Sequence, residues 1–437
     1  MASTYLTRTF GSAGNRQSWT WSGWIKKSKV YNSSASSDRE VWFGGYSASN
    51  DTDWLEFGTQ GDILFATSSA TSTTSTQVLR DVNGWYHALV NYNGSNLKFY
   101  INNELFKDST DFSGNRGINV AGKHTIGAIA TDQSIRRFNG VMSHVNFIDG
   151  TVYTPSAFGE YDANGVWKIK TSPSVTYGTN GFFILKDGNS VTDQSGNSNN
   201  FTVAGGTLTN TEDNPSNVFA TMNVLTLSAS QVNINKGNLS KTNKPTSNAW
   251  RSFYGTLGAS SGKYYWEFKV DLIESSDPNN IMVGIVDAEQ MVHTANNNYS
   301  STESRGYQYH AQTGNKINNG SQSSYGATYT AGDIIGIAVD LDNHKLYFHK
   351  NGTYQNSGDP TSGATGTGSA FDIATGYTYL PAFSQYYGNE HFSVNFGNGY
   401  FGTTAVASAG TNASGIGIFE YDVPTGYTAL STKGLNL

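Results

Sequence analysis

The stretch Tyr329 to Tyr354, YTAGDIIGIAVDLDNHKLYFHKNGTY, constrains the fold more than any other part of the chain. Between Asp333 and Leu341 the large apolar side chains Ile335, Ile337, Val339 and Leu341 take alternate positions, while Gly336 and Ala338 leave the opposite face small. A period of two means a β-strand. Asp342, Asn343 and His344 interrupt the alternation with residues that tolerate turns, and Leu346 and Phe348 resume it between Lys345 and Lys350. Asn351-Gly352 follows, a pair suited to a two-residue turn because both central residues take positive φ. Each large side chain is worth about 1.5–3 kcal/mol when fully buried. One hairpin cannot bury its own face, so a second sheet must cover it.

Further motifs flank this hairpin. Gly262 to Val270 (GKYYWEFKV) and Val283 to Asp287 (VGIVD) precede it, and Leu380 to Ser384 (LPAFS) and Val394 to Gly397 (VNFG) follow. In this order the motifs closely resemble a SPRY domain. The resemblance implies a bent antiparallel β-sandwich that binds partners through loops at one end, with no catalytic residue among its common motifs.

A chain of 437 residues is long enough for two or three domains, each with its own core. It has 49 Gly against 8 Pro and 13% aromatic against 14% charged residues, which suits short strands joined by tight turns. The formal charge of −6, with no basic run longer than Lys26-Lys27 or Arg136-Arg137, offers no footprint for a phosphate backbone, so nucleic acid is not expected as a partner. The absence of cysteine removes disulfides, thiolate metal sites and cysteine nucleophiles together. MASTYLTRTFGSAGNR lacks an apolar signal core, and no segment approaches the ~20 apolar residues of a membrane helix. We therefore expect a soluble, cytoplasmically made chain without membrane insertion. Asn93-Gly94-Ser95 and Asn351-Gly352-Thr353 then read as turns rather than glycosylation sites.

The first half carries a weaker copy of the same grammar. Trp19 to Lys26 (WTWSGWIK) is a strand with Trp19 and Trp21 on one face and Trp24 on the other; Glu40 to Gly45, Trp54 to Gly58 and Ile63 to Thr67 are further strands. The Ser/Thr-rich run Thr67 to Thr76 reads as a loop. In Gly84 to Glu104, Tyr86, Ala88, Val90 and Tyr92 alternate, Asn93-Gly94 turns the chain, Leu97, Phe99 and Ile101 alternate again, and Asn102-Asn103 turns it once more. This hairpin, with Phe138 to Phe158 (FNGVMSHVNFIDGTVYTPSAF), resembles the laminin-G-like, concanavalin-A-type jelly roll over roughly the first 170 residues. Asn180 to Leu185 and Phe201 to Val203, joined by the polar turn Asp193 to Asn200, either complete that domain or form a linker. Asn214-Pro215 marks the break.

The expected fold class is all-β, two antiparallel β-sandwich domains of jelly-roll type in tandem. Residues 1–213 form the first, with core 1–170 and completing segment 171–213; residues 214–405 form the SPRY-like second. Residues 406–437 form a tail that packs on the SPRY-like domain or on a neighbouring subunit. Phe158-Gly159-Glu160-Tyr161-Asp162 and Phe419-Glu420-Tyr421-Asp422 end the modules with a similar phrase. These are either matching ends that dock on neighbouring subunits or a chance recurrence of turn residues.

Catalytic patterns fail on inspection. Gly258-Ala259-Ser260-Ser261-Gly262 has the spacing of a hydrolase nucleophile elbow, but a strand follows it where a helix is needed. Glu267 and Asp271 lie on one strand, but residue 269 is lysine, so the paired carboxylates of sandwich glycosidases are missing and a surface salt-bridge role is expected. The eight histidines show no HxH or HExxH spacing, against a transition-metal site. Asp187, Asn189, Asp193 and Asn197 could supply oxygen ligands to calcium from two adjoining turns, as laminin-G-type domains sometimes do, while Asx turns account for the same residues without an ion. No other cofactor is expected. For ligand binding the candidates are Tyr307 and Tyr309 in Tyr307-Gln308-Tyr309-His310, and Tyr386, Tyr387 and Asn389 in Gln385 to Asn389. Both read as aromatic and amide clusters in loops, suited to stacking on sugar rings and bonding their hydroxyls.

The opening YLTRTF…QSWTWSGWIK, the FIDGTVYTPSAFGEYD join, the DQSGNSNNF turn, the SPRY-like half and the FEYDVPTGYTALSTKGL ending together resemble a family of virion structural proteins of marine tailed bacteriophages. That resemblance implies a non-enzymatic particle component of tail-fibre, capsid-fibre or head-decoration type, assembled in host cytoplasm and released by lysis. Its implied partners are other virion proteins, further copies of the chain, and host surface polysaccharide. The alternatives are a soluble or surface-displayed lectin and a polysaccharide depolymerase, which would need an acid/base pair that the sequence does not offer.

Overall fold

The hairpin folds as its alternation requires. Ile334–Asp340 and Lys345–Lys350 pair antiparallel, with Ile337 opposite Phe348 and Val339 opposite Leu346, and these side chains with Ile335 and Leu341 are buried in one core. Asn351 and Gly352 take φ of 47° and 83°, the paired positive values that a two-residue turn demands. The structure, a computed structural model, describes residues 4–29, 35–47, 51–68, 72–186, 188, 190–225, 233–242, 248–273, 280–292, 298–299 and 303–437. The chain divides into two units, Met1–Asn210 with Asn214–Ser216, and Thr211–Asp213 with Asn217–Leu437.

The first unit holds two antiparallel sheets. Sheet I runs, among the described residues, in the order Thr202–Ala204, Tyr5–Phe10, Gly122–Ile126, Glu40–Tyr46, Thr52–Phe57, Asp62–Thr67, Ser72–Val78. Sheet II runs Phe182–Ile184, Gly140–Asp149, Trp19–Lys27, Tyr86–Tyr92, Leu97–Ile101, Glu104–Ser109. Inward residues of both sheets make one core in which Trp19, Trp21, Trp42, Phe43, Phe65 and Phe147 are fully buried. The segment after residue 170 contributes an edge strand to each sheet, pairing Phe182–Ile184 with Gly140–Asp149 and Thr202–Ala204 with Tyr5–Phe10. The Ser/Thr-rich run departs from its expectation: Ser72–Val78 is an edge strand, because Thr73 and Ser75 turn inward while Ser72, Thr74 and Thr76 face out. The β-branched threonines suit a pleated edge despite their polarity.

The second unit repeats the plan. Sheet III runs Asn233–Asn235, Ser240–Thr242, His391–Asn395, Lys263–Leu272, Ile334–Asp340, Lys345–Lys350, Thr353–Tyr354, with Phe371–Asp372 and Thr428–Ala429 as side branches. Sheet IV runs Arg251–Tyr254, Tyr379–Gln385, Ile281–Asp287, Gly306–His310, Asn315–Asn318, Ser321–Ser324. Trp266, Phe268, Val283, Ile285, Phe383 and Phe392 fill the core between them. The two similar phrases each fold back on their own domain. Gly159–Tyr161 and Trp167–Ile169 form a small hairpin, and Phe158 packs with Leu89 and Ile148 of sheet II. The C-terminal segment covers sheet III: Phe419, Val423 and Tyr427 pack on Tyr265, Ala338 and Tyr347, and Thr428–Ala429 pairs parallel with Lys263–Leu272.

Candidate functional site

The loop after Tyr379–Gln385 is the part of the second domain best built to present side chains. Tyr386 and Tyr387 meet edge to face, with ring centroids 5.0 Å apart at 88°, and Trp250 meets Tyr386 at 5.5 Å and 62°. All three rings are half-buried, as is Asn389. The loop backbone is fixed from below. Ala249 N–H donates to the Tyr386 carbonyl at 3.0 Å, and the Gln385 side-chain amide donates to the Tyr387 carbonyl at 3.0 Å. Lys241 Nζ donates to the carbonyls of Gly388 at 2.6 Å and Glu390 at 2.7 Å. The buried Glu390 carboxylate accepts from Asn280 N–H at 3.0 Å and Tyr387 N–H at 3.3 Å. Burial pulls the Lys241 ammonium down to about 7 and pushes the Glu390 carboxyl up to about 7, each opposed by the charge of the other. A held aromatic cluster loses little conformational entropy on binding and offers flat apolar faces to a ring or a hydrophobic side chain.

Tyr307 and Tyr309 do not join this site, and the loop expected for them is a strand. They lie in Gly306–His310, are buried, and point into the core. Tyr307 Oη accepts from Ala374 N–H at 3.0 Å, and Tyr309 Oη donates to the Ala327 carbonyl. Two residues apart on a strand, both rings necessarily share one face. Trp250, Lys241 and Glu390, which complete the cluster, carried no sequence signal: Trp250 is a lone aromatic far from Tyr386 in sequence, and the other two are isolated charges.

In the first domain, Asp187 and Asn189 lie outside the described residues. Asp193 is saturated by its own turn, with Oδ1 accepting from the N–H groups of Phe183 and Ser195 and Oδ2 from Ser195 Oγ and Asn199 N–H, all within 2.9 Å. Asn197 is exposed, and its Nδ2 donates to the carbonyls of Gly178 and Gly181, which ties its turn to the neighbouring loop. Ser195 and Asn197 line a shallow groove of about 730 Å³ with Val175 to Thr179. Among the described residues no group of three or more His, Cys, Asp or Glu is placed to hold a metal ion.

One buried pair has the look of a hydrolase dyad. Ser22 Oγ lies 2.9 Å from His87 Nε2. Trp167 Nε1–H, which can only donate, points at His87 Nδ1 from 3.1 Å, so Nδ1 is bare and the imidazole proton sits on Nε2, directed at the serine. A general base needs the opposite polarity. His87 is also fully buried, which pulls it down to about 3 and keeps it neutral. Glu267, expected on the surface in a salt bridge, is fully buried and bonded to four donors instead: Tyr265 Oη, Asn395 Nδ2 and the N–H groups of Glu420 and Tyr421.

Comparison with known proteins agrees with these folds. Residues 2–156 match the concanavalin A-like lectin/glucanases superfamily and residues 263–399 match the SPRY domain. The Ran-binding proteins 9/10 homolog of Drosophila melanogaster is 31% identical over 97 residues, 22% of this chain and 10% of that protein, so the chain spans about a tenth of it. Among solved structures, the SPRY domain of human HERC1 is 22% identical, covering 37% of this chain and 91% of that one with a TM-score of 0.30. A putative carbohydrate binding protein from Bacteroides ovatus is 18% identical, covering 47% and 58% with a TM-score of 0.30. The chain thus carries a concanavalin A-like sandwich followed by a SPRY domain, two jelly-roll-type folds in tandem.

Proposed function

We propose that the protein is a non-catalytic recognition component of a tailed-bacteriophage particle, and that Trp250, Tyr386, Tyr387 and Asn389 contact saccharide on the host surface. The observation that carries the recognition reading is the Tyr386–Tyr387 loop, whose backbone is pinned by Lys241, Glu390 and Ala249 while its rings stay half-exposed. The reversed polarity of Ser22 and His87 supports the absence of catalysis. The virion setting is supported by the chain-wide sequence resemblance, and in it the partners are other particle proteins and further copies of the chain. Mass spectrometry of purified particles tests the setting: the protein among the particle components supports it, whereas its presence on intact cells and absence from particles favours a lectin. Release of oligosaccharides from host capsule by the purified protein would establish a depolymerase instead.

A further inference from the structure

The aromatic cluster lies at one end of the outer face of sheet IV, and the strand register brings a polar residue beside it. Phe253, Val283, Tyr309 and Phe383 face the core, so their strand neighbours Ser252, Met282, His310 and Ser384 face outward. Those four stand opposite one another across the sheet: Ser252 pairs with Ser384, Ser384 with Met282, and Met282 with His310. Two residues further along three of the strands, and so on the same face, come Trp250, Tyr386 and Asn280, all half-buried. The inner row is buried and bonded within itself, with Ser252 Oγ and Ser384 Oγ 3.2 Å apart and Gln308 Nε2 donating to Ser384 Oγ at 2.9 Å. The outer row holds two aromatic rings and one carboxamide.

That carboxamide is oriented by a chain of fixed polarity. Asn315 N–H donates to Thr313 Oγ1 at 3.3 Å, Thr313 Oγ1 lies 3.0 Å from His310 Nδ1, and His310 Nε2 lies 3.2 Å from Asn280 Oδ1. An amide oxygen only accepts, so Nε2 carries the imidazole proton, Nδ1 is bare, and the Thr313 hydroxyl donates to it. Burial pulls His310 down to about 4, which keeps the ring neutral. The Asn280 backbone is held as well: its N–H donates to Glu390 Oε1 at 3.0 Å, and Oε2 of the same carboxylate accepts from Tyr387 N–H at 3.3 Å. In the strand order His310 lies on one side of Asn280 and Tyr386 on the other. With its oxygen turned to His310, the amide has its nitrogen on the edge towards Tyr386, and Nδ2 makes no hydrogen bond to a described residue.

We propose that Asn280 is the hydrogen-bonding residue of the aromatic site, its Nδ2–H groups donating to a hydroxyl oxygen of a sugar ring stacked on Tyr386 or Trp250. This rests on the saccharide reading of that cluster. Because its oxygen is spent on His310, Asn280 offers the ligand donors alone. The site therefore selects a ring with an acceptor oxygen at that place and discriminates against the sugar that lacks it. His310 acts through Asn280 without touching the sugar and is a positioning residue.

NMR titration of the full chain with the methyl glycosides of glucose, galactose, mannose and N-acetylglucosamine, and with the monodeoxy derivatives of each, tests this. The wild-type chain should bind at least one parent glycoside and bind one of its deoxy forms about three- to tenfold more weakly. Asn280→Ala, with an unchanged melting temperature, should bind the parent more weakly by the same factor and that deoxy form as the wild type does. His310→Gln, which can still donate to Asn280 Oδ1, should keep the discrimination, and His310→Ala should lower it. A parent glycoside whose binding is lost in Tyr386→Ala but unchanged in Asn280→Ala overturns the assignment and leaves the saccharide reading standing. So does equal wild-type binding of a parent and all its deoxy forms, which needs no variant and decides the matter if Asn280→Ala does not fold. Binding of no glycoside overturns the reading and the assignment with it.

Discussion

Lys241 Nζ donates to the carbonyl of Gly388 at 2.6 Å, from beneath the loop that carries Tyr386 and Tyr387. A buried ammonium spent on two carbonyls is costly unless the geometry it fixes matters, and here it fixes the aromatic cluster. Lys241→Met keeps the length and apolar stem and removes both bonds. It should lower unfolding free energy by about 1–3 kcal/mol, measured by urea titration, and raise hydrogen exchange in residues 386–390.

Tyr309 and Tyr386 should respond in opposite ways. Tyr309 is fully buried between Tyr325, Tyr329 and Phe348. Tyr309→Ala should cost about 3–5 kcal/mol of stability and leave ligand binding by the folded fraction unchanged. Tyr386→Ala should leave the melting temperature nearly unchanged and reduce binding.

Why those two tyrosines separate explains where the sequence could and could not be read. Alternation identified the inward face of the 334–350 hairpin, because each residue there needs only its neighbours to declare a period. Tyr307 and Tyr309 were expected in a loop from their aromatic and amide setting, and two tyrosines two residues apart are too short a run to declare the period of the strand they occupy. The small face at Gly336 and Ala338 was visible without its cause: the His349 ring lies against Gly336, and the C-terminal segment packs on Ala338. Glu267 was misjudged for the same reason. Its burial is decided by Glu420 and Tyr421, some 150 residues on, and no local pattern reports a contact of that range.

Gly336 should therefore resist substitution although it sits in a strand interior. A Cβ at that position would collide with the His349 ring, which is locked by Tyr265 and Gly352. Gly336→Ala should destabilise the protein by about 1–3 kcal/mol, seen as a lower melting temperature.

Acid should unfold the protein through its buried histidines. Burial holds His87 and His349 down to about 3 and His124 and His310 down to about 4, below the ordinary 6.5. Folded values that are depressed give stability that is full above pH 6.5 and lost as pH falls through 4 to 3. Each histidine adds up to about 1.4 kcal/mol per pH unit across that window. Down to about pH 4.5 the buried carboxyls of Asp53, Glu267 and Glu390, pushed up to about 6, 7 and 7, take up protons on folding and oppose this loss. Unfolding free energy measured in urea should thus fall chiefly between pH 4.5 and 3, and a flat profile there would show that these rings are solvated.

Recognition at the Trp250–Tyr386–Tyr387 cluster is tested most directly by binding of the intact chain to an array of bacterial surface polysaccharides, beside the Tyr386→Ala, Tyr387→Ala double variant. The account predicts that the wild-type chain binds at least one saccharide and that the variant, with an unchanged melting temperature, loses at least tenfold in affinity. Equal binding by the two proteins, or no binding to any saccharide, would contradict it.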